Sequence, residues 1–418
     1  QPFWKLLGEI NLNGYWYANA TRFIPYTIHE FPGYSFVVSD VHGHVLSIPF
    51  VLLAVGLFII IWKIGEIGVI RGVHIFYGFL VGVLLMTNAL DGPIYLALLV
   101  VVLLVKRTVK PIILVVLVAI FTSLPFLFHF KPFVSGIAVN CLKGAEKCQY
   151  SPIWMMLVLW GFFLYCGLWL LFKKRNTLLT TFFIFSFALI IFPEFFYFKD
   201  IYPMHFRSNT MFKLGYQAFI LFSIVAGYGI VTLFRNKLFL LLLLPQLFLV
   251  SIYPFFAVRS YFGELAKYDG LDGLRWMRRD YPDDVAAIRW LNKQPDRFAI
   301  VEADGDSYTD FNRFSTFTGR PTIVGWAVHE WLWRGGYDVV APRREDVRKI
   351  YESENFEETE QMLTKYNVRY IIVGTLERRK FPNLNEEKIT KFAREVFRSG
   401  ETVIYKTRGI SNLSKGSL

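Results

Sequence analysis

The chain has 418 residues, of which 54% are hydrophobic, 18% aromatic and 19% charged, and its formal net charge is +12. Soluble proteins carry about a quarter charged residues, so this composition excludes an ordinary soluble protein and indicates one that lies in lipid. The positive charge does not indicate nucleic-acid binding, because it is grouped in short clusters between apolar runs. We therefore expect a protein of the lipid bilayer with no nucleic-acid partner.

The chain opens with a polar and aromatic segment, residues 1–44, that precedes the first long apolar run. It begins at Gln1, with neither an initiator Met nor the charged and apolar regions of a signal peptide. We interpret the segment as an extracytoplasmic loop that starts in mid-protein. We therefore expect the chain to be the C-terminal part of a longer polypeptide.

Apolar runs suited to crossing a membrane follow over residues 45–257. A helix rises about 1.5 Å per residue and the hydrocarbon layer is about 30 Å thick. The runs are Val45–Trp62, Val73–Leu90, Pro93–Val105, Pro111–Phe128, Pro152–Phe172, Leu178–Phe192, Met211–Phe234 and Leu238–Phe256. The second and third runs are short, and the helix breakers Gly92 and Pro93 lie between them. We predict a polytopic α-helical membrane domain with about eight transmembrane helices.

Basic residues lie in four of the connections between these runs. They are Lys63 and Arg71, then Lys106, Arg107 and Lys110, then Lys173, Lys174 and Arg175, and finally Arg235 and Lys237. With eight spans all four connections fall on one face, which the positive-inside rule makes cytoplasmic. The opposite face then carries residues 1–44, 88–93, 130–151 and 193–210 and everything after Ala257. We predict a protein integral to the cytoplasmic membrane, with its C-terminal part outside.

The cysteines agree with this topology. Cys141 and Cys148 lie in one outward connection, where a disulfide bond can persist. Two free thiols are the alternative. Cys166 lies within an apolar run and is expected to be a small packing residue.

Residues 258–418 are predicted to form an extracytoplasmic soluble α/β domain, because the pattern changes after the last apolar run. The predicted helices are Asp284–Asn292, Arg344–Lys365 and Glu386–Arg398, and the predicted strands are Phe298–Glu302, Tyr370–Val373 and Thr402–Tyr405. Alternating elements of this length indicate a small sheet covered by helices.

Asp40, His42 and His44 stand together immediately before the first apolar run. One carboxylate and two imidazoles offer oxygen and nitrogen ligands to a divalent cation. Asp40 and His42 alternate, so an extended segment would point both side chains to one side. In the alternative interpretation, Asp40 caps the following helix and the histidines lie at the membrane interface.

Asn88 and Asp91 lie at the break between the second and third runs. Irregular backbone at membrane depth is tolerated where it lines a cavity, so these residues could form a cavity floor. An ordinary interfacial turn is the alternative.

Glu194, Asp200 and Arg207 lie in the connection that precedes the run Met211–Phe234, and Lys213 lies just inside that run. The two cations could grip a phosphate, and the two carboxylates could hold a metal or orient a base. In the alternative, the basic pair reaches to lipid headgroups and the neighbouring aromatic residues form an interfacial belt.

The segment Gly325–Arg334 of the soluble domain, expected to be a loop, carries Trp326, His329, Glu330 and Arg334. These side chains suit stacking on sugar rings and bonding to hydroxyl groups. In the alternative interpretation, the tryptophans pack the domain onto the membrane part. We expect the domain to fold back over the outward polar residues, so that this segment covers the cavity they form. The pair Asp304 and Asp306 upstream is only a weak signal of a metal motif.

The sequence resembles the YYY-type integral membrane proteins of bacteria and archaea from about Tyr15 to Tyr405. The matching stretches are Tyr15–Tyr17, Thr21–Pro25, His29–Pro32, Asp40–Phe50, Arg207–Lys213 and Thr318–Trp326 with the residues up to Arg334. That family resembles the GT-C membrane glycosyltransferases. The resemblance implies a sugar donor linked to polyprenyl phosphate and used at the outer membrane face, with an acceptor that it does not identify.

The resemblance also implies roles for individual residues. Asp40-Val41-His42 looks like the second metal motif of the oligosaccharyltransferase relatives, whereas their first-loop Asp has no counterpart here. We therefore expect the catalytic base in a preceding part of the polypeptide. A divalent cation, Mg or Mn, is assigned to Asp40, His42 and His44. Donor phosphate contact is assigned to Arg207 and Lys213, and substrate contact to Asn88, Asp91, Glu194, Asp200, Trp326, His329, Glu330 and Arg334.

Two other classes of protein stay open at this point. A transporter or flippase for a lipid-linked substrate would also need outward polar groups and broken helices. It would need a pathway to the cytoplasmic face, yet the intramembrane carboxylates gather outside. A non-catalytic envelope assembly or scaffold protein would keep the fold and need no cation site.

Overall fold

The computed structural model describes residues 14–64, 67–105, 107, 109–130, 134–140, 148–174, 176–200, 205–263, 270–334 and 336–408. Gln1, Lys106, Cys141 and Arg175, named above, lie outside the described residues. The chain divides into two compact units, Gln1–Lys267 and Tyr268–Leu418. We call them the membrane unit and, after the domain type that the sequence predicts there, the soluble unit.

The membrane unit is largely helical. A 3-10 helix at Tyr17–Thr21 comes first. The α-helices are α1 Pro32–Val37, α2 Gly43–Leu46, α3 Ile48–Ile64, α4 Ile67–Thr87, α5 Asp91–Val105, α6 Lys110–Leu127, α7 Ile153–Lys173, α8 Thr177–Phe195, α9 Ser208–Leu233, α10 Lys237–Ser251 and α11 Tyr253–Tyr261. All eight predicted apolar runs fall on helices of this series.

Within the part of the chain that the structure describes, five helical stretches are long and apolar enough to cross a membrane: Gly43–Lys63, Ile153–Lys173, Thr177–Phe195, Ser208–Leu233 and Lys237–Tyr261. The apolar helices Arg71–Thr87, Asp91–Leu104 and Pro111–Leu127 are shorter. The number of spans therefore remains a prediction.

Helix α9 lies at the centre of the membrane unit and packs against α7 and α8. In its most apolar stretch 61% of the residues are buried, against 11% in Lys237–Tyr261. Its buried face includes the polar side chain of Gln217 and the small residue Gly215. An unusually polar interior helix marks where the function of a membrane protein is to be sought.

Two short strands, β1 Ile137–Val139 and β2 Phe196–Phe198, pair antiparallel and join two connections of the membrane unit. The amide of Asn140 donates to the carbonyls of Gln149 and Glu194, each at 2.8 Å. Cys148 is disulfide-bonded. These contacts hold the connection around Glu194 in place, and the sequence did not predict the strand pairing.

Cys166 is a free, fully buried thiol within α7, which agrees with the packing role predicted for it. The helices around it approach closely. A Cβ atom on the adjacent Gly167 would lie 2.2 Å from the ring of Phe183 in α8. Glycine at this position therefore permits the close packing of α7 on α8.

The soluble unit contains a four-stranded sheet of order β3-β4-β6-β5. Strand β3 (Ala299–Val301) is parallel to β4 (Val368–Val373), and the other neighbours, β6 (Thr402–Thr407) and β5 (Ala393–Ser399), are antiparallel. The helices are α12 Arg275–Asp280, α13 Pro282–Asn292, α14 Arg313–Thr318, α15 Ala327–Arg334, α16 Tyr337–Glu352, α17 Phe356–Lys365, α18 Thr375–Lys380 and α19 Glu386–Phe392. Apolar residues pack on both faces of the sheet.

The predicted helix Glu386–Arg398 is wrong in its second half. The helix ends at Phe392, and Ala393–Ser399 forms β5. Gly400 has a φ of 45°, in the left-handed region that glycine adopts freely, and lies in the turn into β6. Pairing with β6 therefore overrides the helical tendency of residues 393–398.

Two other predicted elements are corrected. The single helix predicted at Arg344–Lys365 is two helices, α16 and α17, because Asn355 caps the second by accepting a hydrogen bond from the Glu358 amide at 3.1 Å. The segment Gly325–Arg334 was expected to be a loop, yet Ala327–Arg334 is helix α15. Its apolar and polar residues recur with the period of a helix. We did not recognise this pattern, because the many aromatic residues suggested a loop that packs on another surface.

Candidate functional site

Three side chains near the start of the first long apolar helix form a possible cation site. Ligand atoms of Glu30, Asp40 and His44 all lie within 4.8 Å of one another. His44 Nε2 is 3.3 Å from one Asp40 oxygen, and His42 Nδ1 contacts the other. His44 is buried, Glu30 and Asp40 are half-buried, and His42 is exposed. The structure thus brings the three predicted residues together and adds Glu30.

The backbone around the cluster explains its geometry. His42 is the N-cap residue of α2 in an extended conformation and makes no side-chain cap bond, so Asp40 does not occupy the N-cap position. The Asp40 amide donates to the Ser35 carbonyl at 2.9 Å. A Cβ atom on Gly43 would lie 2.1 Å from the carbonyl oxygen of Thr87. Only glycine therefore lets the Asp40–His44 segment dock on the end of α4.

The charges beside the cluster are partly balanced. Arg22 pairs with Glu30 at 3.3 Å. Burial raises the pKa of Glu30, and the Arg22 charge opposes that rise. Burial, together with Arg22, lowers the pKa of His29 to about 4. His29 is therefore neutral at pH 7, and its Nε2 accepts a hydrogen bond from the Phe23 amide at 3.0 Å.

A buried hydrogen-bond chain lies at the turn between α4 and α5. The fully buried Asp91 carboxylate accepts from the Ser47 hydroxyl at 2.6 Å and from the amides of Asn88 and Gln217 at 2.8 Å. The Asn88 oxygen in turn accepts from Lys213 Nζ at 2.9 Å. The chain ties the beginning of α3, the α4–α5 turn and α9 together. It gives the Asp91 carboxylate the hydrogen-bond donors that lipid could not supply.

The hydrogen-bond chain and the cation cluster are adjacent. The imidazole of His44 packs edge-on against the rings of Phe212 and Tyr216, at 4.8 and 4.9 Å between centroids. These residues flank Lys213 on α9. Lys213 interacts electrostatically with Asp91, Asp40 and Glu30. The two groups of residues therefore form one polar site, which we call the Asp40–Lys213 site.

Arg207 and Glu194 form a separate buried ion pair with 2.8 Å between their atoms, and Arg207 is only 1% exposed. The Ser151 hydroxyl donates to Glu194 at 2.6 Å and accepts from Arg207 at 3.0 Å. Asp200 accepts a hydrogen bond from Asn209 at 2.8 Å. The structure thus gives Arg207 and Lys213 different partners, and the phosphate contact assigned to Arg207 remains a prediction.

The predicted residues of the soluble unit lie together at an open cavity of about 650 Å³. Its lining residues are Asn312, Ser315, Thr316, Gly325, Trp326, His329, Glu330 and Arg334. Asp304 lies elsewhere: it is 1% exposed and is held by Arg344 at 2.8 Å and by Lys380. Asp306 is exposed. Asp304 therefore has cationic partners within the protein itself.

Sequence reasoning missed Glu30 and Gln217. Glu30 lies ten positions before Asp40 and was noted only as part of a matching stretch. Gln217 follows Lys213 by four positions, the spacing that places two side chains on one face of a helix. That spacing was a usable signal for Gln217, whereas nothing in the sequence brings Glu30 to Asp40.

The fold and the polar site define an integral membrane protein whose apolar helices carry a half-buried lysine, a buried carboxylate and a buried histidine at one end. Residues 2–179 and 165–222 match the model of a family described as an uncharacterized membrane protein, DUF2298. Together the two matches cover more than half of the 418 residues. The chain belongs to this family. No curated protein matches it.

Proposed function

We propose that the protein is a GT-C-like membrane glycosyltransferase that moves a sugar from a polyprenyl-phosphate-linked donor to an acceptor at the outer membrane face. The observation that carries the proposal is the Asp40–Lys213 site. It combines a cluster of cation ligands with a half-buried lysine at one end of the apolar helices. A lipid-linked phosphate needs that combination, because its negative charge must be met at the membrane boundary.

The cation ligands in this proposal are Asp40, His44 and Glu30, with the exposed His42 beside them. Two carboxylates and one imidazole suit a hard or borderline divalent cation such as Mg or Mn. A ligand set of this size leaves positions for phosphate oxygens. A bound cation would stabilise the negative charge that grows on the departing phosphate.

Lys213 is the proposed phosphate contact. Its ammonium group keeps donor capacity beyond the bond to Asn88, because an ammonium has three hydrogens. Asn88 and Asp91 fix the lysine in place, and the ion pair of Arg207 with Glu194 orders the connection before α9. Arg207 therefore acts in this proposal as a positioning residue.

The transfer itself requires one bond exchange. The bond between the sugar anomeric carbon and the phosphate oxygen breaks, and its electron pair leaves with the phosphate. The acceptor oxygen bonds to the anomeric carbon, and its proton passes to a base. We assign that base to none of the described residues.

The test is donor cleavage with water as acceptor, because the natural acceptor is unidentified. The full chain in lipid nanodiscs is incubated with Mn²⁺ and a set of decaprenyl-phosphate-linked hexoses, and released hexose is measured. We expect release that depends on Mn²⁺ and is lost in Asp40→Asn. Release that is equally fast without Mn²⁺, or unchanged in Asp40→Asn, would contradict the proposal.

A further inference from the structure

The cavity of the soluble unit has the size of a small-molecule site. Its volume is about 650 Å³, within the range of roughly 300–1,000 Å³ that is usual for ligand pockets. It lies beside Asn312 and helix α14 on one side and Gly325 and helix α15 on the other. Trp326, at the start of α15, has its indole nitrogen bonded to the Phe311 carbonyl at 3.1 Å. The indole ring is thereby fixed at the cavity wall.

Asn312 holds the wall of the cavity in place. The residue is 6% exposed, and its side-chain nitrogen donates to the Val324 carbonyl at 2.9 Å. Its side-chain oxygen has no hydrogen-bond partner among the residues that the structure describes. The oxygen is itself buried, so Asn312 ties its segment to Val324 at the cavity wall and does not present this acceptor to the cavity.

Tyr308 does not line the cavity itself, but its aromatic ring lies against two residues that do, Trp326 and His329. It is 81% exposed, and its φ of 62° is unusual for a bulky residue. Its ring centroid lies 5.8 Å from that of Trp326 and 5.5 Å from that of His329. His329 is held by a contact of 2.6 Å between its Nδ1 and the Ser307 hydroxyl. Such backbone strain clusters at ligand sites, and here it holds three rings together.

Glu330 and Arg334 supply the charges of the cavity. The Glu330 carboxylate accepts from the Gly325 amide at 3.3 Å and pairs with Arg334 one helical turn away. Arg334 remains 41% exposed at its side chain. The cavity therefore offers a fixed carboxylate acceptor beside guanidinium donors.

We propose that this cavity binds a saccharide. The aromatic rings can pack against the apolar C–H face of a sugar ring, and the sugar hydroxyls can donate to Glu330 and accept from Arg334. A phosphate would be repelled by the Glu330 carboxylate, and an apolar ligand would make no hydrogen bond to Glu330 or Arg334. The proposal stands on residues of the soluble unit alone and is independent of the transfer reaction proposed for the membrane unit.

Saturation-transfer NMR on the full chain in nanodiscs tests this site. The probes are methyl α-D-mannopyranoside, maltose, cellobiose and N,N′-diacetylchitobiose. We expect saturation transfer to at least one probe and a dissociation constant raised about tenfold in Tyr308→Ala and in Arg334→Ala, because stacking and charged hydrogen bonds are each worth about that much. Tyr308→Phe keeps the ring and should bind within about threefold of the parent chain.

Arg348→Ala is the matched control for Arg334→Ala. Both arginines are exposed on helices and pair with a glutamate about one turn away, but Arg348 does not line the cavity. Binding should be unchanged in Arg348→Ala and also in Asp40→Asn, which separates this site from the proposed transfer. An absence of saturation transfer to every probe, or equal affinity of the parent chain and Tyr308→Ala, would overturn the proposal.

Discussion

The ammonium nitrogen of Lys213 lies 2.9 Å from the side-chain oxygen of Asn88 and donates a hydrogen bond to it across 125 positions of the chain. Asn88 relays this contact to the buried carboxylate of Asp91. The Lys213 ammonium group is therefore held at the α4–α5 turn through the neutral side-chain amide of Asn88. Its remaining hydrogens are free to meet an anion there.

Lys213→Met should weaken the binding of decaprenyl phosphate by about 10- to 100-fold, because a charge-assisted hydrogen bond is worth about 1.5–3 kcal/mol. Microscale thermophoresis of the full chain in detergent measures the dissociation constant. The control is Lys237→Met, which removes an exposed lysine at the beginning of another long helix. Equal affinities of the two variants would contradict the phosphate role of Lys213.

Gly43→Ala should destabilise the membrane unit. The added methyl group would lie 2.1 Å from the Thr87 carbonyl oxygen, and overpacking of this kind costs about 1–3 kcal/mol. Gly56→Ala in α3 is the matched control, because a Cβ atom there meets nothing within 4 Å. Thermal unfolding in detergent should show a lower Tm for Gly43→Ala alone. Equal Tm values for the two variants would show that α2 does not depend on this close approach.

Glu302 should make the soluble unit less stable as the pH rises from 5 to 8. Burial, aided by the neighbouring Glu377 charge, raises its pKa from 4.5 to about 7 despite hydrogen bonds from the amides of Phe314 and Ser315. Because the pKa of Glu302 is higher in the folded chain than in the unfolded chain, its contribution to stability is fully present at a pH below 4.5, the unfolded pKa. This contribution is lost as the pH rises through about 7, the folded pKa. The effect is on the order of 3 kcal/mol.

Glu302→Gln resembles the protonated side chain and tests this pH dependence. The stability of the parent chain relative to Glu302→Gln should fall between pH 5 and pH 8, as measured by thermal unfolding followed from the soluble unit. Glu345→Gln is the control, because hydrogen bonding from Arg348 lowers the pKa of Glu345, so it titrates below this range. A stability difference that is constant with pH would contradict the assignment.

The orientation in the membrane is tested by single cysteines at Lys174 and Asp306. The basic connections place Lys174 on the cytoplasmic face if there are eight spans, and the soluble unit on the other. A membrane-impermeant maleimide applied to intact cells should label the cysteine at Asp306 and leave that at Lys174 unlabelled until the membrane is opened. Labelling of both from outside would overturn the eight-span topology.

The sequence predicted the features that depend on neighbouring residues. Each of the eight predicted apolar runs falls on described helix, because lipid imposes both composition and length on the segments that lie in it. The association of Asp40 with His44 followed from their spacing. The helix Pro282–Asn292 and the strands around Val368–Val373 and Thr402–Thr407 were likewise visible as local patterns.

The sequence did not reveal features that depend on distant contacts. Glu30 reaches Asp40 only because the intervening turn and α1 fold back. Lys213 and Asn88 meet only once α9 packs in the centre of the unit. Arg207 was expected to contact phosphate, and nothing in its neighbourhood announced the ion pair with Glu194. Tertiary packing brings these residues together, and the periodicity of the sequence cannot predict such long-range contacts.

Mn²⁺ titration of the full chain in detergent, followed by electron paramagnetic resonance of the free ion, tests the central claim most directly. The Asp40–Lys213 site should bind Mn²⁺, and Asp40→Asn and Glu30→Gln should each weaken binding by about 100-fold, since loss even of a group that only supports a ligand costs about 10- to 100-fold. The control Asp306→Asn removes an exposed carboxylate of the soluble unit and should leave the affinity unchanged. A chain that binds no Mn²⁺, or binds it equally well in Asp40→Asn, would contradict the cation site on which the proposed transferase rests.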